Sequence, residues 1–190
     1  KISFTGSTEV GKILMEQSAS TVKKLSMELG GHAPFIVFED ANIDEAVTGA
    51  LQSKFRNSGQ TCICTNRLFV HEKVYDSFLE KFTNEVKKIK VGNGLNDGIV
   101  SGPLIDKSSL DKVIDHVQDA VNTGAKIAVG GEVHSLGGNF YQTTVLSNVS
   151  TEAKITFEET FGPVAPLYKF SSDDEVIKMA NDTPYGLASY

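Results

Sequence analysis

Apolar residues recur along the chain in two rhythms, one of strands and one of helices, and the two alternate. Ile2-Ser3-Phe4 reads as a strand, and Thr5-Gly6-Ser7-Thr8 as a turn in which Ser7 or Thr8 caps a helix over roughly 9–19. Val22 to Leu29 reads as a second strand, and Gly30-Gly31 then breaks the pattern as a hinge or domain boundary. Phe35-Ile36-Val37-Phe38 is an apolar run of strand length. Asp40 and Asn42 stand where a helix should begin, and Ile43, Ala46, Val47, Ala50, Leu51 and Phe55 repeat at helical spacing. That helix is expected to end near Asn57, with Ser58-Gly59 as its stop, and Leu68-Phe69-Val70 to be the next strand. Val74, Phe78, Phe82, Val86 and Ile89 line one further helix, and Leu110, Val113, Ile114, Val117 and Val121 another. Ile127-Ala128-Val129 and Pro163 to Phe170 are strand-like, Gly130-Gly131 and Gly137-Gly138 mark turns, and Asp173 to Asn181 is the last helix. This alternation, without repeats or low-complexity tracts, predicts a three-layer α/β fold around a mostly parallel sheet. The apolar stripes themselves are core material.

Composition narrows the class of protein. A chain of 190 residues holds one large domain, or one domain and part of another. A net charge of -6 without a basic run gives no reason to expect nucleic acid or an anionic membrane as partner. No apolar stretch approaches the roughly 20 residues that span a bilayer. The only two cysteines, Cys62 and Cys64, are one residue apart, so a structural disulfide between them would be strained. A reducing compartment is expected, the cytoplasm first and the mitochondrial matrix as the alternative. Lys1 opens inside a strand-like run and Tyr190 follows a helix and turn, so both ends read as cut from a longer chain.

Few residues stand out as chemistry. Cys62 lies in the polar loop Asn57-Ser58-Gly59-Gln60-Thr61-Cys62-Ile63-Cys64, between a helix and a strand, where α/β domains build sites. It is either a buried, inert cysteine or a nucleophile, and a free thiol, only roughly 3% ionised at pH 7, would need help in the second role. Glu28 ends a strand just before the glycine pair, as a solvated edge carboxylate or as a general base. Gly6-Ser7 opens a helix after a strand, an ordinary capped turn or an anion site fit for a pyrophosphate, although no full G-x-G-x-x-G is present. Glu158-Glu159-Thr160-Phe161-Gly162-Pro163 reads as a loop before a strand. The four histidines show no metal-ligand spacing, and His116, on a charged helix face, is expected to be solvated.

Taken together, Phe4-Thr5-Gly6-Ser7-Thr8-Glu9-Val10-Gly11, Met27-Glu28-Leu29-Gly30-Gly31, Gly59-Gln60-Thr61-Cys62 and Glu159-Thr160-Phe161-Gly162-Pro163 resemble the aldehyde dehydrogenase superfamily, in order and in separation. The resemblance implies an NAD- or NADP-dependent enzyme, with residues 1–29 as the last βαβ piece of a Rossmann-like cofactor domain and 30–190 as the catalytic domain. It implies Cys62 as nucleophile and Glu28 as general base. Gly6 and Ser7 would form the pyrophosphate turn, Leu29 a backbone contact to the nicotinamide carboxamide, Glu159 the carboxylate on the nicotinamide ribose, and Phe161 packing beside the nicotinamide. Lys54 to Cys64 is most similar to the succinate-semialdehyde dehydrogenase subgroup, which implies Arg56 as the partner of a substrate carboxylate and Cys62 with Cys64 as a redox pair. On local grounds, Arg56 in a last helical turn is also explained by the helix dipole. The partner implied is a small aldehyde carrying a carboxylate, and the full-length protein is expected to be a homodimer or homotetramer. An oxyanion-hole Asn and further cofactor residues are expected upstream of Lys1.

Overall fold

The computed structural model describes residues 1–190. The first strands, β1 (Ile2–Thr5) and β2 (Leu25–Glu28), pair in parallel as a two-stranded sheet and are joined by helix α1 (Thr8–Ser18). Ser7 is the cap, its hydroxyl accepting from the Val10 N–H. β2 is shorter than the expected 22–29, because α1 runs into a 3-10 turn over Ala19–Thr21 that Val22 closes in a left-handed conformation (φ 49).

The remaining strands are β3 (Ala33–Val37), β4 (Thr65–His71), β5 (Lys126–Val129), β6 (Thr144–Ser147) and β7 (Val164–Phe170), forming one sheet in the order β3-β4-β7-β6-β5. Four of them run parallel, and β5 joins the edge antiparallel to β6. The helices are α2 (Ile43–Phe55), α3 (Tyr75–Val86), α4 (Lys107–Asn122), α5 (Lys154–Phe157) and α6 (Asp173–Asn181). Side chains alternate across the strands, so the sheet carries a core on each face. Leu68, Val70 and Leu167 pack with Val47, Ala50, Phe78 and Phe82 of α2 and α3. Phe69, Tyr168 and Phe170 pack with Leu110, Val113 and Val117 of α4 and with Val176 of α6. Helix, sheet and helix are therefore the three layers expected. No helix is long and apolar enough to cross a membrane.

The pattern was blind where polar residues are buried or elements are short. β4 begins three residues before Leu68, at Thr65-Asn66-Arg67, all essentially inaccessible. Each has a partner: Thr65 donates to Ser53 Oγ (2.8 Å), and Asn66 accepts from Lys54 Nζ (2.9 Å). Arg67 donates through Nε to His32 O, and through its two terminal nitrogens to Met179 O and Ala180 O, each at 3.0 Å. It thereby caps α6, whose last carbonyls have no partner in the helix. β6 and α5 have four residues each, too short for a periodic signal.

Because three carbonyls share one buried guanidinium, Arg67→Leu should destabilise the fold by on the order of 3 kcal/mol. A lowered thermal midpoint, with faster amide exchange over α6 than over α3, is the expected result. Uniform exchange would place the loss in packing rather than in the cap.

Candidate active site

One cleft of about 640 Å³ gathers residues from across the chain, among them Gly6 and Ser7, Glu28 and Leu29, Arg56, Cys62, and Glu159 with Phe161. Every candidate residue of the sequence reading except Cys64 lines it. β1 and β2 explain the first two pairs. The strands are parallel, and the Gly6 N–H donates to Glu28 O at 3.0 Å, so the α1 cap and the Glu28 carboxylate both stand at the carboxyl end of the pair. Gly6 packs closely on the Phe4 ring, which a Cβ there, 2.5 Å from its tip, would displace.

The Cys62 loop is held by unusual backbone. α2 ends at Phe55, and Arg56 leaves it in an extended conformation (φ -55, ψ 132) instead of sitting in the last helical turn. Asn57, Ser58 and Gly59 are then all left-handed (φ 51, 57 and 73). Such a run is costly for two non-glycine residues and needs support from outside. The support comes from the segment before α4. The Ser58 hydroxyl donates to Gly102 O (3.1 Å) and accepts from Gly102 N (2.9 Å), while Gln60 accepts from the Ile105 N–H (3.0 Å) and donates to Pro103 O (3.3 Å). A turn closed by the Cys64 N–H on Thr61 O (3.0 Å) then presents Cys62, which is half-buried.

Two glycines bring this loop against its neighbours. A Cβ on Gly31 would lie 1.9 Å from Cys62 O, and one on Gly59 2.1 Å from Gly162 O. Three backbone segments, 30–31, 57–64 and 159–162, thus meet around Cys62. The Glu159 carboxylate accepts from the Gly31 N–H at 3.0 Å across the same junction. Burial pushes its carboxyl up from the usual range, opposed first by that N–H and then by Lys112 and Lys54.

Beneath the loop, Lys54 is fully buried and donates to Asn66 Oδ1 at 2.9 Å. Burial pulls its ammonium below the ordinary lysine range, with Cys64 and Glu159 acting in the opposite direction. Cys64 itself is buried outside the cleft, its thiol donating to Lys54 O at 3.1 Å. For a Cys62–Cys64 bond to form, the Cys64 thiol would first have to leave that carbonyl. His32 is buried too, with Nε2 on Thr156 O at 2.8 Å, and burial drives its pKa down to about 3.

His116 is a correction. It is 1% exposed, not solvated, with Nδ1 on Thr160 Oγ1 (3.1 Å) and Nε2 on Glu158 Oε2 (3.2 Å). Ser109 and Lys112 of α4 also line the cleft, and neither was visible in the sequence. On a helix, Lys112 between apolar Leu110 and Val113 looks like an ordinary solvated position, and only the fold turns it toward the cleft.

Comparison with known proteins shows the family. The model of the aldehyde dehydrogenase family matches residues 1–190. The chain is 56% identical over 190 residues to the NADP(+) succinate-semialdehyde dehydrogenase GabD of Escherichia coli (strain K12), covering all of this chain and 39% of that protein. It is 54% identical to the 3-sulfolactaldehyde dehydrogenase of Pseudomonas putida and 54% identical to the glutarate-semialdehyde dehydrogenase of Pseudomonas aeruginosa, with the same coverage of each. The crystal structure of succinate-semialdehyde dehydrogenase from Burkholderia pseudomallei superposes with a TM-score of 0.99 at 55% identity, over 100% of this chain and 39% of that one. The chain spans about two fifths of the length of these relatives.

The glycine contacts predict a simple hierarchy of substitutions. Gly31→Ala and Gly59→Ala should each cost roughly 2–4 kcal/mol or displace the Cys62 loop, since backbone cannot yield as a side chain does. Gly94→Ala, with nothing within 4 Å, should be close to neutral. Thermal midpoints of the three variants, with the rate of Cys62 alkylation as a local probe, test this. Equal midpoints would remove the close-approach argument.

Proposed function

The chain belongs to the aldehyde dehydrogenase family, and from that premise we propose that it is the core of an NAD- or NADP-dependent enzyme that oxidises succinate semialdehyde to succinate. Residues 1–29 form the end of the cofactor domain and 30–190 most of the catalytic domain. The separate parallel pair β1-β2, ahead of the five-stranded sheet, supports that division. The observation that carries the proposal is the convergence of Cys62, Glu28, Arg56 and Glu159 on one cleft with the N-terminus of α1.

The residues present fit a dinucleotide. Gly6 and Ser7 at the start of α1 suit a pyrophosphate, because the first-turn N–H groups of a helix lack internal acceptors. Glu159 uses one oxygen on the Gly31 N–H and keeps the other for ribose hydroxyls. Leu29 and Phe161 line the end of the cleft assigned to the nicotinamide. When bound, the cofactor supplies the hydride acceptor that turns the Cys62 adduct into a thioester. Cys62 forms that adduct by attack of its thiolate on the aldehyde carbon, giving a thiohemiacetal, and later departs as the leaving group. The Cys62 backbone N–H donates to the oxyanion. Glu28 takes a proton from the water that hydrolyses the thioester, releasing the acid and regenerating the thiolate.

Arg56 selects the substrate class. Its guanidinium offers a planar pair of donors to an anion at the far end of a short aldehyde. Its place in the lining of the same cleft as Cys62 supports this. The names of the relatives favour a second reading within the same class: glutarate semialdehyde and 3-sulfolactaldehyde also carry a terminal anion.

In the full-length protein, Cys62→Ser should abolish NAD(P)H release from succinate semialdehyde. Glu28→Gln should give one burst of NAD(P)H without steady turnover. Sustained turnover by either variant would remove that residue from the scheme. Arg56→Ala should lower kcat/KM roughly tenfold to hundredfold for aldehyde acids and far less for a neutral aldehyde of similar length. Equal losses on both would make Arg56 structural, and a panel of the three anionic aldehydes with both cofactors ranks the substrates.

A further inference from the structure

The segment leading into β7 lies between the cleft and α4. Glu158 is extended (φ -107, ψ 136). Glu159 and Phe161 line the cleft. Thr160 lines the cleft as well, but its hydroxyl and the Glu158 carboxylate both meet one imidazole of α4, His116, at 3.1 Å and 3.2 Å. His116 does not line the cleft and has no part in the chemistry above. Phe161 is left-handed (φ 54), a conformation that an aromatic residue rarely adopts, so the loop must be held from outside. We propose that His116 is a positioning residue for the cofactor: by gripping both chain neighbours of Glu159, it fixes the Glu159 carboxylate on the Gly31 N–H and toward the ribose. The inference rests on the reading of Glu159 as the ribose-binding carboxylate.

An ionised carboxylate only accepts, so Nε2 carries a proton and donates to Glu158. In the neutral imidazole, Nδ1 accepts from the Thr160 hydroxyl. Burial holds its pKa below the ordinary 6.5, with Lys112 acting the same way and Glu158 and Asp115 opposing. His32 lies close enough to be felt, and Lys154 pairs with Asp115 at 2.9 Å on the same side. Protonation puts a hydrogen on Nδ1, which the Thr160 hydroxyl oxygen then accepts, and it strengthens the bond to Glu158. The grip on Glu158 and Thr160 therefore holds in either state of the ring.

The test uses the full-length protein and steady-state kinetics. His116→Phe keeps the ring volume and loses both bonds, and should raise KM for NAD(P)+ roughly tenfold with KM for the aldehyde unchanged. Thr160→Val, a smaller change that spares α4, should raise it less. His116→Gln keeps a donor and an acceptor on a group that does not titrate. It should restore much of the cofactor affinity that His116→Phe loses. Glu159→Gln tests the underlying reading separately. If Glu159→Gln weakens the cofactor while His116→Phe and Thr160→Val do not, the positioning role is overturned. If Glu159→Gln itself leaves cofactor KM unchanged, the ribose role of Glu159 falls, and the proposal with it.

Discussion

Two contacts between backbones, made possible by the absence of a side chain, set the geometry on which the cleft depends. Gly31 lies against the Cys62 carbonyl and Gly59 against the Gly162 carbonyl. Without them, the 30–31, 57–64 and 159–162 segments would stand apart by at least a methyl group. The left-handed run Asn57-Ser58-Gly59 and the left-handed Phe161 follow from the same approach. Each non-glycine member costs on the order of 1–3 kcal/mol, a cost borne by loops whose conformation serves a site rather than the core.

Around this junction the protein has placed cations where solvent does not reach. Lys54 and Arg67 are almost fully inaccessible, yet neither is paired with a carboxylate. Their hydrogens go to an Asn amide oxygen and to backbone carbonyls. Neutral acceptors leave the charge uncancelled, so Lys54 still acts on Glu159, whose carboxyl burial pushes toward the protonated form. Two of the three buried histidines serve the same frame, His32 on the end of α5 and His116 on the loop that carries Glu159.

Much of the fold was legible because most elements are amphipathic at the period of their own secondary structure. α6 lies over Asp173–Asn181 as expected, and Asn42 caps α2 from the position where the acidic and amide residues signalled a start. The start of β4 was hidden, because Thr65, Asn66 and Arg67 look solvent-facing and are satisfied by residues distant in the chain. The candidate site was legible as four short strings, since glycine, cysteine and carboxylates in polar turns are uncommon enough to be noticed. His116 was misread for the converse reason: its helix face carries charges, and its partners Glu158 and Thr160 arrive from more than 40 residues away.

What the sequence by itself determined is local: the helical and strand periods, the capped start of α1, the glycines that permit tight turns, and the residue types able to act as nucleophile, base and anion partner. These depend on neighbours within a few positions, and are written in the chain. Tertiary structure alone decided that Glu28, Arg56, Cys62 and Glu159 line one cleft, that Lys112 and Ser109 join them, and that Cys64 faces Lys54 instead. Those outcomes depend on which parallel strands lie side by side and on how closely their loops approach. Such long-range pairings are selected by the burial of both sheet faces at once, a property of the assembled layers that no single segment carries.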